Sequence, residues 1–256
     1  MKEDITYICK LSSELSEEEI KDFIKVFNEV FHLDYDMNWF KWKYLDNIYG
    51  DSYMVLAYKD DKAVGARSFW RNDIDGYICY QPCDTGVLKE ARGKGLFTKM
   101  TLIALDKTKD GFIYNYPNDN SRPGYLKLGW EINKYYYMKL VMSNKNLERE
   151  TKYIDEDYLI WRFAKSPINK YFYCEKRGQS YLLINRKNNV YYVLGRFNPK
   201  YNEYFTKVDS PILFNYTTKE TMMYRIFKNK ATIVSFEREG QDINKIDIPI
   251  FKGDHF

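Results

Sequence analysis

Two short stretches of this chain carry residue types whose order could do chemistry. The first, Val87-Leu88-Lys89-Glu90-Ala91-Arg92-Gly93-Lys94-Gly95-Leu96-Phe97, leads from an apolar segment into a helical pattern. A strand that feeds a glycine-bearing loop and opens straight into a helix offers backbone N–H groups and a positive dipole end to a phosphate. The amides from Arg92 to Phe97 would grip the anion, Arg92 and Lys94 would add charge, and Gly93 and Gly95 would permit close approach. Taken alone, those glycines need do no more than turn the chain. The second stretch runs from Asn118 to Trp130 and places Tyr125 on a short helix ahead of Gly129-Trp130. There Asn118 or Asn120 could cap the helix that starts near Ser121.

The surrounding periodicity says what must position these residues. Ser16 with Glu19 three residues on forms a capping box, and Ile20, Phe23, Ile24, Phe27 and Phe31 follow at helical spacing. A short helix is expected over 37–44, then a hairpin of strands over 53–58 and 63–70 joined by Lys59-Asp60-Asp61-Lys62, and a third strand over 77–87. After the glycine loop, Leu96, Met100, Ile103 and Lys107 share a stripe, which predicts a helix over 96–109 packed on a sheet. The strand over 112–116 should then run parallel to the one before the helix. A short helix over 121–128 and a strand over 130–141 complete an α/β unit with a mixed sheet.

The polar stretch 143–152 reads as a linker between domains at 1–142 and 153–256. Beyond it the chain echoes itself. Trp42-Lys43-Tyr44 before a strand pair recurs as Trp161-Arg162-Phe163 before strands over 171–175 and 180–185. Phe112-Ile113-Tyr114-Asn115-Tyr116 recurs as Ile212-Leu213-Phe214-Asn215-Tyr216, with a further strand over 231–236. With 25 tyrosines and 16 phenylalanines, aromatic strands resemble one another by composition alone, but here order and context match as well. The second copy is degenerate: no glycine lies between Gly195 and Asn215, so it lacks a phosphate loop.

Composition narrows the partners. A formal charge of +4, from 40 basic against 36 acidic residues, is spread along the chain without a basic block, which argues against nucleic acid. No apolar run reaches the length of a membrane span or a signal peptide, so the expectation is a cytoplasmic protein without a membrane partner. Cys9, Cys79, Cys83 and Cys174 lack paired spacing, and His32 and His255 are too few to complete a zinc cluster; no metal is expected.

The two stretches resemble the signatures of the GNAT superfamily of acyl-CoA-dependent N-acyltransferases. Its loop pattern Q/R-x-x-G-x-G/A falls on Arg92, Gly95 and Phe97, where Phe97 replaces a small residue. Its second pattern, N-x-x-A-x-x-x-Y-x-x-x-G-F, falls on Asn118, Ser121, Tyr125, Gly129 and Trp130. The resemblance covers 1–142 and extends weakly to the second half, which implies a tandem GNAT-like fold. It further implies that acetyl-CoA, or another acyl-CoA, is bound by Val87, Leu88, Arg92, Gly93, Lys94, Gly95, Leu96, Phe97 and Asn118. Val87 and Leu88 would pair with the pantetheine arm, and Asn118 would bond it from the opposite wall or cap its own helix.

By the same resemblance Tyr125 would protonate the departing thiolate. Asp84 would draw the amine's proton through water, sharing a strand face with Tyr80; equally, Asp84 is a hydrogen-bonded strand residue, or the amine arrives neutral. The acceptor implied is a small-molecule primary amine, with amino sugars as one class. It would lie between residues 31–44 and the strand of Tyr80 and Asp84, where Trp39, Phe40, Trp42 and Trp70 offer flat faces that suit a core as well. A coenzyme A sensor without turnover is a second reading. Aminoacyl transfer from tRNA is a third, which needs a basic groove the chain lacks. The second half would wall the acceptor pocket or form a homodimer surface, covering its sheet edges.

Overall fold

A computed structural model describes residues 4–254, with backbone alone at 145–146, so that His255 lies outside the described residues. The chain opens on β1 (Ile5–Leu11), a strand the sequence pattern did not single out, and continues through α1 (Glu17–Phe31) and α2 (Met37–Phe40). Next come β2 (Tyr53–Lys59), β3 (Lys62–Arg71), β4 (Cys79–Val87), α3 (Leu96–Lys107), β5 (Phe112–Asn115), α4 (Arg122–Lys127) and β6 (Glu131–Leu140). The second half holds α5 (Asn144–Glu150), α6 (Glu156–Tyr158), β7 (Tyr171–Lys176), β8 (Gln179–Lys187), β9 (Val190–Phe197), β10 (Thr206–Lys207), β11 (Ile212–Thr217), α7 (Met222–Phe227) and β12 (Lys230–Phe236). Among the described residues no helix is long and apolar enough to cross a membrane.

Two compact units emerge, Met1–Glu131 with Val234–Asp247, and Ile132–Ile233 with Ile248–Phe256. Their borders differ from the expected 1–142 and 153–256. The polar stretch is not a linker: it forms α5, whose Leu147 is buried against Cys174, Tyr181, Leu183 and Val193 in the second unit's core. The break falls instead where β6 starts, because β6 pairs antiparallel with β11 (Leu140↔Phe214) while the end of β12 pairs antiparallel with β5 (Val234↔Asn115). Each half therefore completes its sheet with the other half's last strand.

In the first unit the sheet runs β1-β2-β3-β4-β5, antiparallel up to β4, with β5 parallel to β4. Helices cover both faces. Val26 and Val30 of α1 lie over Gly86, whereas Leu96 and Met100 of α3 lie over Gly65. Gly86 pairs with Ala66, the residue after Gly65, so strand alternation puts α1 and α3 on opposite sides. The capping box forms as expected: the Ser16 hydroxyl accepts from the Glu19 amide at 3.2 Å, and the Glu19 carboxylate accepts from the Ser16 amide at 2.8 Å. The returning segment after β12 caps α3 at its other end, where Arg238 donates to the carbonyls of Leu105 at 2.7 Å and Gly111 at 3.0 Å.

The second unit follows part of the same order, with a 3-10 turn and β10 where the first has α3. β7, β8 and β9 form an antiparallel meander, and β11 joins β9 in parallel as β5 joins β4. The repeated aromatic triplets coincide with the same rare local structure, a π-helical turn over Lys41–Leu45 and again over Leu159–Ala164. Each closes with an i→i+5 bond, Asp46 to Lys41 at 2.8 Å and Lys165 to Ile160 at 2.9 Å. Each also buries a cation, Lys43 or Arg162, against rings.

Gly111 immediately precedes the parallel β4–β5 pair, and an added Cβ there would sit 2.7 Å from Ile78 and 2.8 Å from the Tyr80 ring. Gly111→Ala should cost about 1–3 kcal/mol of stability as an overpacked site, read as a lower urea midpoint with an unchanged slope.

Candidate active site

The glycine loop folds as its residues dictate. After Val87 the chain makes one 3-10 turn over Lys89–Ala91, and Arg92 Nε donates back to the Val87 carbonyl at 3.1 Å. Gly93 and Gly95 both take left-handed backbone angles, at φ 77° and 76°, which few other residues accept. Gly95 is the N-cap of α3 and brings no side-chain oxygen, so the amides of the helix's first turn have no side-chain cap. Arg92, Gly93, Lys94 and Gly95 are all exposed. Leu96 and Leu88 turn their side chains into the core, and the Leu88 amide is committed to the Val64 carbonyl at 2.9 Å.

Behind the loop the sheet opens. β4 and β5 share only the rungs Cys79↔Phe112 and Tyr80↔Ile113, while β4 runs on to Val87 paired with β3 alone. On its paired side β4 carries a bulge: Ala66 faces Gly86 and Ser68 faces Cys83, leaving Asp84 and Thr85 opposite the single residue Arg67. Asp84 sits at φ 46° to make that kink. Arg67 is fully buried and donates to Thr85 Oγ1 at 3.2 Å and to Tyr125 Oη at 2.9 Å. Tyr125 is itself buried, edge-on to Phe97 with ring centroids 5.4 Å apart and to Trp130 at 4.7 Å. Loop, bulge and phenol thus meet along one strand and one helix start.

Asp84 does not stand where the sequence expectation put it. Its carboxylate forms a buried ion pair with Lys43 Nζ at 2.7 Å and accepts a hydrogen bond from the Tyr44 hydroxyl. Lys43 in turn lies over the rings of Trp70 at 5.2 Å, Tyr44 at 5.7 Å and Trp39 at 5.9 Å. Burial, followed by the Asp84 charge, holds the Tyr44 phenol well above its usual range. Nor do Tyr80 and Asp84 share a face. The bulge interrupts strand alternation, so Asp84 turns toward Lys43 and Tyr44, while Tyr80 packs with Met100 and Ala104 on the α3 side. Tyr80 is pushed up to about 12 by burial and the nearby Asp110. Trp39, Phe40, Trp42 and Trp70 are all buried and serve as core, with Phe27 and Trp39 stacked at 5.4 Å.

Residues 12–133 match the model of the acetyltransferase (GNAT) domain, a span that includes loop, bulge and Tyr125. The N-terminal half belongs to the GNAT superfamily. Solved structures share the fold of nearly the whole chain. A GCN5-related N-acetyltransferase from Kribbella flavida is 11% identical with a TM-score of 0.55, covering 91% of this chain and 71% of that one. The GCN5-related N-acetyltransferase from Anabaena variabilis is 10% identical at 0.55, covering 91% and 72%. A putative acetyltransferase from Pyrococcus horikoshii is 12% identical at 0.51, covering 91% and 90%. No curated protein sequence matches the chain.

Residues 12–133 thus form an acetyltransferase domain of the GNAT kind, whose acyl donor is acetyl-CoA. The residues fit that group: an uncapped helix start, two left-handed glycines and two exposed cations suit a diphosphate, and the edge of β4 beyond its two rungs with β5 suits an amide-bearing arm. Asn118 has less to offer than expected, because its side-chain oxygen accepts from the Ser121 amide at 2.9 Å and the Asn120 amide at 3.1 Å. Those bonds close the turn ahead of α4, whose N-cap, Ser121, makes no side-chain cap bond, and they leave Val87 and the loop as the better candidates. Arg67 was missed in the sequence, although a lone cation within Ala63-Val64-Gly65-Ala66-Arg67-Ser68-Phe69-Trp70 was a visible signal.

The Lys43–Asp84 pair is structural in this GNAT domain, and breaking it leaves a buried carboxylate without its cation. Lys43→Met should destabilise by about 3–5 kcal/mol, and adding Asp84→Asn should recover part of that loss in chemical denaturation.

Proposed function

We propose that this protein transfers the acetyl group of acetyl-CoA to the primary amine of a small molecule, by direct attack with both substrates bound and with Tyr125 as the proton donor. The observation that carries this reading is Tyr125 Oη, buried and fixed one guanidinium away from the bulge of β4, on the strand that opens beyond Tyr80. Acetyl-CoA brings an activated thioester carbonyl and a sulfur leaving group. The chain's own part is to hold the diphosphate on the α3 amides, to align the arm along β4, and to hand a proton from Tyr125 to the sulfur.

With Asp84 engaged by Lys43 and Tyr44, the amine enters neutral or sheds its proton to water. Amino sugars are the acceptor class we favour among small amines. The second half is read as a degenerate GNAT copy, supported by its strand order, its π-helical turn and its lack of glycine between Gly195 and Asn215. The engaged state of Asp84 also favours a second reading, a sensor that binds acetyl-CoA without turning it over.

Free thiol release, screened across amino sugars, polyamines, amino acids and peptides, separates the two: the enzyme releases thiol with at least one amine, the sensor with none. Replacing Gly95 by Trp should weaken acetyl-CoA binding at least tenfold in calorimetry, because a side chain there meets both the left-handed angle and the bound phosphate. Tyr125→Phe should lower kcat by roughly 10²–10⁴-fold with the KM for acetyl-CoA kept; an unchanged kcat would remove Tyr125 from the chemistry.

A further inference from the structure

Arg67 is fully buried, yet among the described residues no carboxylate pairs with it. Its polar contacts are Thr85 Oγ1 and Tyr125 Oη, and its Nε has no hydrogen-bond partner. Rings surround the rest, with the guanidinium carbon 4.6 Å from the centroid of Phe97 and 5.4 Å from those of Phe69 and Tyr125. A buried guanidinium does not give up its proton, and keeping one without an anion is costly. Of these described contacts, Tyr125 brings the one group, a phenol, that can become an anion.

The departure at Phe97 fits the same picture. Phe97 covers the guanidinium face, and the ring finds room because residue 124 is glycine: a Cβ there would lie 3.1 Å from Phe97 Cε1. Phe97, Gly124 and Arg67 form one support around the phenol.

We propose that Arg67 is a positioning residue that sets the acidity of Tyr125 and the direction of its hydrogen. Nη2 donates to the phenolic oxygen, so the hydroxyl hydrogen must point to another acceptor, and the same contact stabilises the phenolate left when that proton departs. In the reaction the amine nitrogen bonds to the carbonyl carbon, and the carbon–sulfur bond breaks with its electron pair on sulfur. Tyr125 gives sulfur its proton; the amine's proton goes to water, and water restores the phenol. The catalytic consequence rests on the acid role proposed above, whereas the Arg67–Tyr125 coupling does not.

The test follows Tyr125 directly, by NMR of protein labelled at the tyrosine Cζ carbon, with Tyr125→Phe used for assignment. Without the cation the phenol should titrate about one pH unit or more higher in Arg67→Met than in the wild type, while Arg67→Lys stays closer to it. Kcat should fall at least tenfold in Arg67→Met with the KM for acetyl-CoA kept, and recover in part in Arg67→Lys. If Arg67→Met does not fold, Arg67→Gln, which keeps donors but no charge, carries the same measurement. A phenol that titrates alike in the wild type and the folded neutral variant overturns the coupling. If the titration moves while Tyr125→Phe keeps full kcat, the coupling stands and the acid role falls.

Discussion

A parallel strand pair that holds for only two rungs is the constraint on which the site depends. β4 and β5 are joined at Cys79 and Tyr80, and beyond that point β4 keeps its partner on one side only. Backbone groups along such an edge are left to satisfy elsewhere, and an extended amide-bearing ligand is the partner they suit. The same strand then bulges at Asp84 and Thr85 and ends in the glycine loop at the start of α3. Edge, bulge and the proposed anion site are thus consecutive properties of one segment.

The bulge also divides the buried charges of this unit. On the α1 side, Lys43 and Asp84 neutralise each other beneath aromatic rings, with Tyr44 and Ser68 completing the hydrogen bonds. On the α3 side, Arg67 has no such counter-ion among the described residues and leans on Thr85, Tyr125 and the π faces around it. One cation is quenched and one is held ready against a phenol. The face that packs α3 therefore carries the proposed chemistry, and the face that packs α1 holds the ion pair that supports the fold.

Local sequence patterns carried much of this. The Ser16–Glu19 capping box, the α3 stripe, the strand-loop-helix order around Gly95 and the short helix of Tyr125 were all legible, because each rests on contacts a few residues apart. Asp84 was not. One extra residue in a strand reverses the face of everything near it, and nothing in Tyr80-Gln81-Pro82-Cys83-Asp84-Thr85 announces where the alternation slips. The tryptophans near residue 40 could equally have lined a cleft, and only burial decides for the core. The unit borders were hidden for a different reason: they depend on β12 pairing with β5 across more than a hundred residues, a choice no local pattern records.

That exchange of last strands has a consequence for how the chain comes into being. The first unit needs Val234–Asp247, with Val234 against Asn115 and Arg238 against the end of α3, so its sheet stays unfinished until those residues have left the ribosome. Until then the nascent chain carries β5 as a bare edge, the condition that invites aggregation and recruits chaperones.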